Sequence, residues 1–266
     1  MGLSKEKRKL LDRLRNARFR GREGQFLVEG VRGAREFLEG SIHWDFRFAL
    51  VSSRLEASEE GRLIKGRLMG SDIPVEEVSD QELEQVSDTE HPQGIVMVVR
   101  EEERALPPSG RSTPERVLLL DGIQDPGNAG TLLRAGRAFG LTRAVALEGS
   151  VDLFNPKVVR ASAGALAHLP VHRLPWTEAS FWLGTRDVPL LVGVAGGKDV
   201  RAVTVSSSWA LAIGNEGAGV RPALRAAATG LVGIPMISRA DSLNAGVAGA
   251  ILMFALNPPP GSRTEN

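Results

Sequence analysis

From residue 117 onward one pattern recurs: a short apolar run without polar interruption, a turn, then a helical stretch. The runs are Val117–Asp121, Ala144–Leu147, Leu190–Ala195, Trp209–Gly214 and Leu231–Pro235. A strand that faces water on one side alternates apolar and polar residues. An unbroken run belongs to a strand buried on both faces, which is the signature of a parallel sheet covered by helices. The intervening helical stretches include Gly130–Phe139, stopped by Gly140, and Asn244–Leu256. The latter begins Ala245-Gly246-Val247-Ala248-Gly249-Ala250, a small-residue surface that allows close backbone approach. The C-terminal part is therefore read as α/β with a parallel sheet.

The first hundred residues also alternate helix and strand, on a smaller scale. Leu10, Leu11 and Leu14 give the stretch Leu3–Phe19 a helical stripe. Gln25–Glu29, Phe46–Val51 and Ile95–Val99 read as strands, and Val31–Leu38 and Arg54–Arg67 as helices. This pattern predicts a smaller α/β sandwich domain over residues 1–100. Residues 101–114 hold Leu106-Pro107-Pro108-Ser109-Gly110 and Thr113-Pro114. Proline removes amide donors and turns its predecessor away from helix, so this stretch reads as a linker. Residues 115–266 then form the second domain.

Composition narrows the chemistry. The chain has no cysteine, which excludes disulfides, thiolate catalysis and cysteine-ligated zinc. His43, His91, His168 and His172 form no metal site, because Pro170 interrupts the one helical spacing among them. The longest apolar run, Ala245–Leu256, falls short of the roughly 20 residues that span a bilayer. No export signal is visible, and a cytoplasmic, membrane-free protein is expected. The formal net charge is +1, but residues 1–35 carry eleven basic and four acidic side chains. Such a local excess suits a phosphate backbone, and equally a solvated helix face. Lys7, Arg8, Arg18, Arg20, Arg22 and Arg32 are the candidate contacts there, with Lys157 and Arg160 in a polar turn further on.

Three segments of the C-terminal part follow directly on strands, where open parallel sheets bind ligands. The first is Asp125-Pro126-Gly127-Asn128-Ala129-Gly130, with Arg134 beyond it. Asn128 reads as a helix N-cap, and the free amides behind it suit an anion. The second, Ile213-Gly214-Asn215-Glu216-Gly217-Ala218-Gly219, has the spacing G-x-x-G-x-G. It is neither the dinucleotide fingerprint nor a phosphate loop. The third runs Ile234-Pro235-Met236, then Asp241-Ser242-Leu243-Asn244, where Asp241 or Ser242 can cap the last helix. Taken singly, each segment also reads as an ordinary turn with a cap.

Taken in order, the three resemble the SpoU/TrmH branch of the SPOUT RNA methyltransferases, over about residues 117–256. The segment Gln25-Phe26-Leu27-Val28-Glu29-Gly30-Val31-Arg32 is similar, more weakly, to the ribosomal-protein-like substrate-binding domain that precedes the catalytic domain in many rRNA-modifying members. The resemblance implies a trefoil knot, a homodimer and transfer of a methyl group from S-adenosylmethionine to a ribose 2′-hydroxyl. It implies cofactor contacts from Gly214, Asn215, Glu216, Gly217, Ile234, Met236, Ser242, Leu243 and Asn244. It gives Asn128, Arg134 and Glu216 to catalysis, with Arg134 also meeting RNA. No metal is expected from the cysteine-free composition and the scattered histidines. rRNA is the expected substrate and tRNA the alternative. A catalytically silent RNA-binding or assembly factor on the same scaffold is the reading from another class.

Overall fold

The computed structural model describes residues 2–101, 106–107, 114–237 and 243–257. In chain order the elements are α1 (Lys5–Leu14), α2 (Ala17–Glu23), β1 (Gln25–Glu29), α3 (Val31–Leu38), β2 (Asp45–Val51), α4 (Glu59–Met69), β3 (Val75–Glu77), α5 (Asp80–Val86) and β4 (Ile95–Arg100). They continue with β5 (Arg116–Asp121), α6 (Pro126–Ala138), β6 (Arg143–Ala146), α7 (Pro156–Ala161), β7 (Val171–Arg173), α8 (Trp176–Gly184), β8 (Leu190–Asp199), β9 (Trp209–Gly214), α9 (Pro222–Ala227), β10 (Gly230–Gly233) and α10 (Ala245–Leu256). They divide into two compact units. One comprises Met1–Glu103 with Phe154–His168, the other Arg104–Leu153 with Leu169–Asn266.

The first unit holds a four-stranded sheet in the order β1-β4-β2-β3. The pairings of β4 with β1 and β2 are antiparallel, and β2 pairs β3 in parallel. Leu11 and Leu14 of α1 pack with Leu27, Leu50, Leu83, Val96 and Val98. Phe26, Phe37, Trp44 and Phe154 form an aromatic cluster, with Phe26 and Phe154 ring centres 4.6 Å apart. Phe154 opens the segment 154–168, which completes this unit from far along the chain.

Local chemistry moves several expected boundaries. The single helix expected over Leu3–Phe19 is two, because Asn16 takes extended backbone and accepts the Arg18 N–H, starting a new helix. Ser58 likewise caps α4, so Arg54–Arg67 is a 3-10 turn followed by a helix. The expected polar turn at residues 155–160 is α7, capped by Asn155, with Val158 and Val159 buried.

The second unit is a six-stranded sheet in the order β10-β8-β9-β5-β6-β7, and every pairing is parallel. Val117 through Asp121 are all buried, as a strand covered on both faces requires. Val117 and Leu119 pack toward Ala179, Trp182 and Leu183 of α8. Helices α6 and α10 pack together through small residues. A β-carbon on Gly246 would lie 3.1 Å from Thr131, and one on Gly249 2.2 Å from the end of Leu132. The chain runs from β5 to β6 and β7 on one side, then crosses to β8 on the other and comes back to β9 beside β5. The connections after β5 and β9 therefore flank a topological switch point, where ligands bind in open α/β sheets.

Candidate active site

Helix α6 starts four residues before the expected position. Asp125, not Asn128, is its N-cap, accepting the Asn128 N–H at 2.7 Å, and Pro126 takes the first helical position. Proline suits that position because its missing donor would have no helical partner there. Asn128 is thereby freed from capping. Its side chain is buried inside the first turn and donates from Nδ2 to Oε1 of Glu216. The turn after β5 and the loop after β9 are thereby joined.

The glycine-rich loop organises itself around Asn215. Its Oδ1 accepts the amides of Gly217 at 2.9 Å and Ala218 at 3.1 Å, and its Nδ2 donates to the Gly122 carbonyl at 3.0 Å. Gly214 must be glycine, since a β-carbon there would lie 2.3 Å from the Gly219 carbonyl carbon. At α10, Asn244 is the cap, accepting from Gly246 at 2.9 Å and Val247 at 3.2 Å. The role expected of Asp241 or Ser242 is thus filled by Asn244. Ser242, expected at the cofactor, lies outside the described residues.

The glycine-rich loop, the connection after β10 and the start of α10 line a cavity of about 370 Å³. Gly214, Asn215, Glu216, Gly217, Ile234, Met236 and Leu243 line it. Sequence reasoning missed the wall from β8, Gly193, Val194 and Ala195, and also Arg225 of α9. Nothing local marks those residues, because their place depends on the pairing of β8 with β9 and β10. Asn128, Arg134 and Asn244 are not among the lining residues. Arg134 projects from α6 at an exposed position and has no side-chain partner among the described residues.

The basic residues of the first unit separate by environment. Arg20 is buried and donates to the carbonyls of Leu14 and Arg15, closing the end of α1. This corrects its expected RNA contact, because that guanidinium serves the fold. Lys7 pairs with Glu76, Arg8 with Gln85, Arg160 with Asp88, and Arg22 with Glu23. Arg18, Arg32 and Lys157 are exposed, with no side-chain partner among the described residues.

Comparison with known proteins places this geometry. The chain matches the SpoU rRNA Methylase family over residues 115–254 and the MRM3-like substrate binding domain over residues 5–97. It is 36% identical over 180 residues to the 23S rRNA (guanosine(2553)-2′-O)-methyltransferase RlmP of Bacillus subtilis, covering 67% of this chain and 71% of that one. It is 31% identical over 248 residues to the 23S rRNA (uridine(2479)-2′-O)-methyltransferase of Streptomyces viridochromogenes, covering 91% and 85%. The solved structure of the SpoU methyltransferase AviRb from Streptomyces viridochromogenes, in complex with the cofactor AdoMet, superposes with a TM-score of 0.85 at 28% identity, covering 95% of this chain and 97% of that one.

Proposed function

The chain belongs to the SpoU family of rRNA methylases, and on that premise we propose that it transfers a methyl group from S-adenosylmethionine to a ribose 2′-hydroxyl of rRNA. The observation that carries this reading is the cavity lined by the glycine-rich loop after β9, whose Glu216 accepts a hydrogen bond from Asn128.

The residues present fit the cofactor. The cavity has the size of a small-molecule site, and mixes apolar walls with exposed backbone polar groups. Val194, Ile213, Ile234 and Leu252 offer apolar surface to a purine. The glycines at 193, 214, 217, 219 and 233 let main-chain donors and acceptors approach closely. Glu216 supplies a carboxylate for a cationic ligand, held by Asn128. When bound, the cofactor supplies a methyl group activated on a sulfonium. The chain must align that methyl with the ribose oxygen, and positioning of this kind accounts for much of the rate enhancement in displacement reactions.

Arg134 is assigned to the RNA side of the reaction. A guanidinium is effectively always protonated, so it is a poor base by itself. Two roles fit: clamping an RNA phosphate while stabilising the developing alkoxide, or assisting proton removal together with that phosphate. Gly214, Asn215, Glu216, Gly217, Ile234, Met236, Ser242, Leu243 and Asn244 are assigned to the cofactor, and Arg18, Arg32 and Lys157 to salt-sensitive phosphate contacts.

The same reading includes the family's trefoil knot, a cytoplasmic location and a homodimer. Val247, Ile251 and Phe254 support the dimer: they recur on the outward face of α10 and are 46%, 39% and 54% exposed. Ribose-methylation mapping of rRNA from cells with and without the protein tests the function. A methylation lost at one rRNA position supports it. Loss confined to tRNA moves the substrate, and no loss with no cofactor binding favours the silent factor.

A further inference from the structure

The C-terminal edge of the second sheet carries an ion-pair network that methyl transfer does not itself use. Asp121, the buried last residue of β5, accepts the Arg221 backbone N–H at 2.7 Å and also the Arg221 Nε. The same guanidinium donates from Nη1 to Oε2 of Glu148 at 2.9 Å and from Nη2 to the Glu148 carbonyl at 2.7 Å. The Glu148 carboxylate also accepts the Trp176 N–H, at 3.2 and 3.3 Å. One side chain thus ties the end of β5 to the connections that follow β6 and β9.

Arg221 stands directly after Val220, at the exit of the glycine-rich loop, and is the N-cap residue of α9. At its entry that loop is fixed by the ladder of β9 with β5, which ends at the pair Asp121 and Gly214. Residues 216–219 between these anchors are exposed. A glycine-rich segment loses more chain entropy on ordering than any other, so its anchors govern how well it is set before a ligand arrives. The clamp suits arginine specifically. One planar fork reaches a buried carboxylate with Nε and a second residue with both terminal nitrogens, which a lysine ammonium cannot do at once.

We propose that Arg221 is a positioning residue that sets the cofactor loop through Asp121 and Glu148 without touching the cofactor. The inference rests on the cofactor assignment made above. Its test measures S-adenosylhomocysteine affinity by calorimetry, KM and kcat for S-adenosylmethionine, and the ligand-free thermal midpoint. The wild-type protein is compared with Arg221→Gln, Arg221→Lys and Glu148→Gln, well below every midpoint. Arg221→Gln weakens affinity at least about tenfold and raises KM in step, while kcat at saturation stays within about threefold. Arg221→Lys recovers part of the affinity. Glu148→Gln shifts affinity in the same direction, and adds little to Arg221→Gln because both break one network. Wild-type affinity in Arg221→Gln, with only a lowered midpoint, overturns the proposal. Should Arg221→Gln fail to fold, Glu148→Gln decides it, and unchanged affinity there overturns it equally. A wild-type protein that binds no S-adenosylhomocysteine overturns the cofactor assignment and this inference together, whereas binding that the variants leave unaltered overturns the clamp alone.

Discussion

Asn128 and Glu216, eighty-eight residues apart in sequence, are joined by a hydrogen bond from the amide Nδ2 to the carboxylate Oε1. Asn128 is buried in the first turn of α6, while Glu216 belongs to the loop that lines the cavity. The two act as a unit. Asn128→Ala removes the donor that orients the carboxylate, and Glu216→Ala leaves a buried amide without its acceptor. Each is expected to lower kcat/KM for methyl transfer at least about tenfold. The double variant should be little worse than the poorer single one, as coupled residues show. Initial rates for the four proteins check this, and simple additivity would dissociate the pair.

Gly214 is a steric requirement of the loop. Its missing β-carbon leaves room for the Gly219 carbonyl and the Val220 nitrogen, both of which would lie 2.5 Å or nearer to it. These are backbone atoms and cannot swing aside. Gly214→Ala should cost about 1–3 kcal/mol in urea unfolding, in the range of overpacked sites. Gly217→Ala, whose nearest neighbour would be Asn215 Oδ1 at 3.5 Å, should unfold at nearly the wild-type denaturant concentration. Equal effects would remove the steric account.

Glu115 bears on acid stability. Burial pushes its carboxyl upward, but Arg143, Thr142 and Arg186 outweigh that and hold it below the ordinary glutamate value. A depressed folded value adds stability above the unfolded pKa, and that stability is lost as pH falls through the folded one. The loss therefore falls below about pH 4.3, the usual glutamate value. Glu115→Gln should flatten this acid limb in urea titrations. Glu115→Ala leaves Arg143 and Arg186 without their carboxylate, and should cost about 3–5 kcal/mol at neutral pH.

Glu29 has the opposite sign. Burial raises its pKa, against the Asp88 amide and Arg160, which lower it. Its contribution is most favourable below the unfolded pKa and declines as pH rises through the raised folded value. Glu29→Gln keeps an acceptor for the Asp88 N–H without the buried charge. It should match or exceed wild-type stability at pH 8 and lose that advantage at pH 4. A variant much weaker at pH 8 would show that the carboxylate is needed in charged form.

Most strands of both units were legible because their signal is local, but β3 (Val75–Glu77) and β7 (Val171–Arg173), three residues each, are too short to show one. Val117–Asp121 and Trp209–Gly214 are apolar runs that no other element explains, and β9 has those bounds. The cap of α6 was also readable in principle, since Asp before Pro is a stronger helix start than Asn128. What stayed hidden is non-local. Nothing near Phe154 indicates that its ring meets Phe26 and Trp44. Nothing near Arg221 points to Asp121, one hundred residues earlier. Arg20 looked like one more cation in a basic stretch, and only the turn between α1 and α2 shows why it is buried.

The most direct test of the central claim uses purified protein, S-adenosylmethionine labelled in its methyl group and unmodified rRNA. The label is read as 2′-O-methylnucleoside after digestion, for wild type and Arg134→Ala. Arg134 is exposed and does not line the cavity, so the variant should bind the cofactor as wild type does. Wild type should place label in 2′-O-methylnucleoside, and Arg134→Ala should lose at least about a hundredfold in rate, the scale of losing a transition-state contact. Label on a base instead of a ribose, or near-normal transfer by Arg134→Ala, would contradict it.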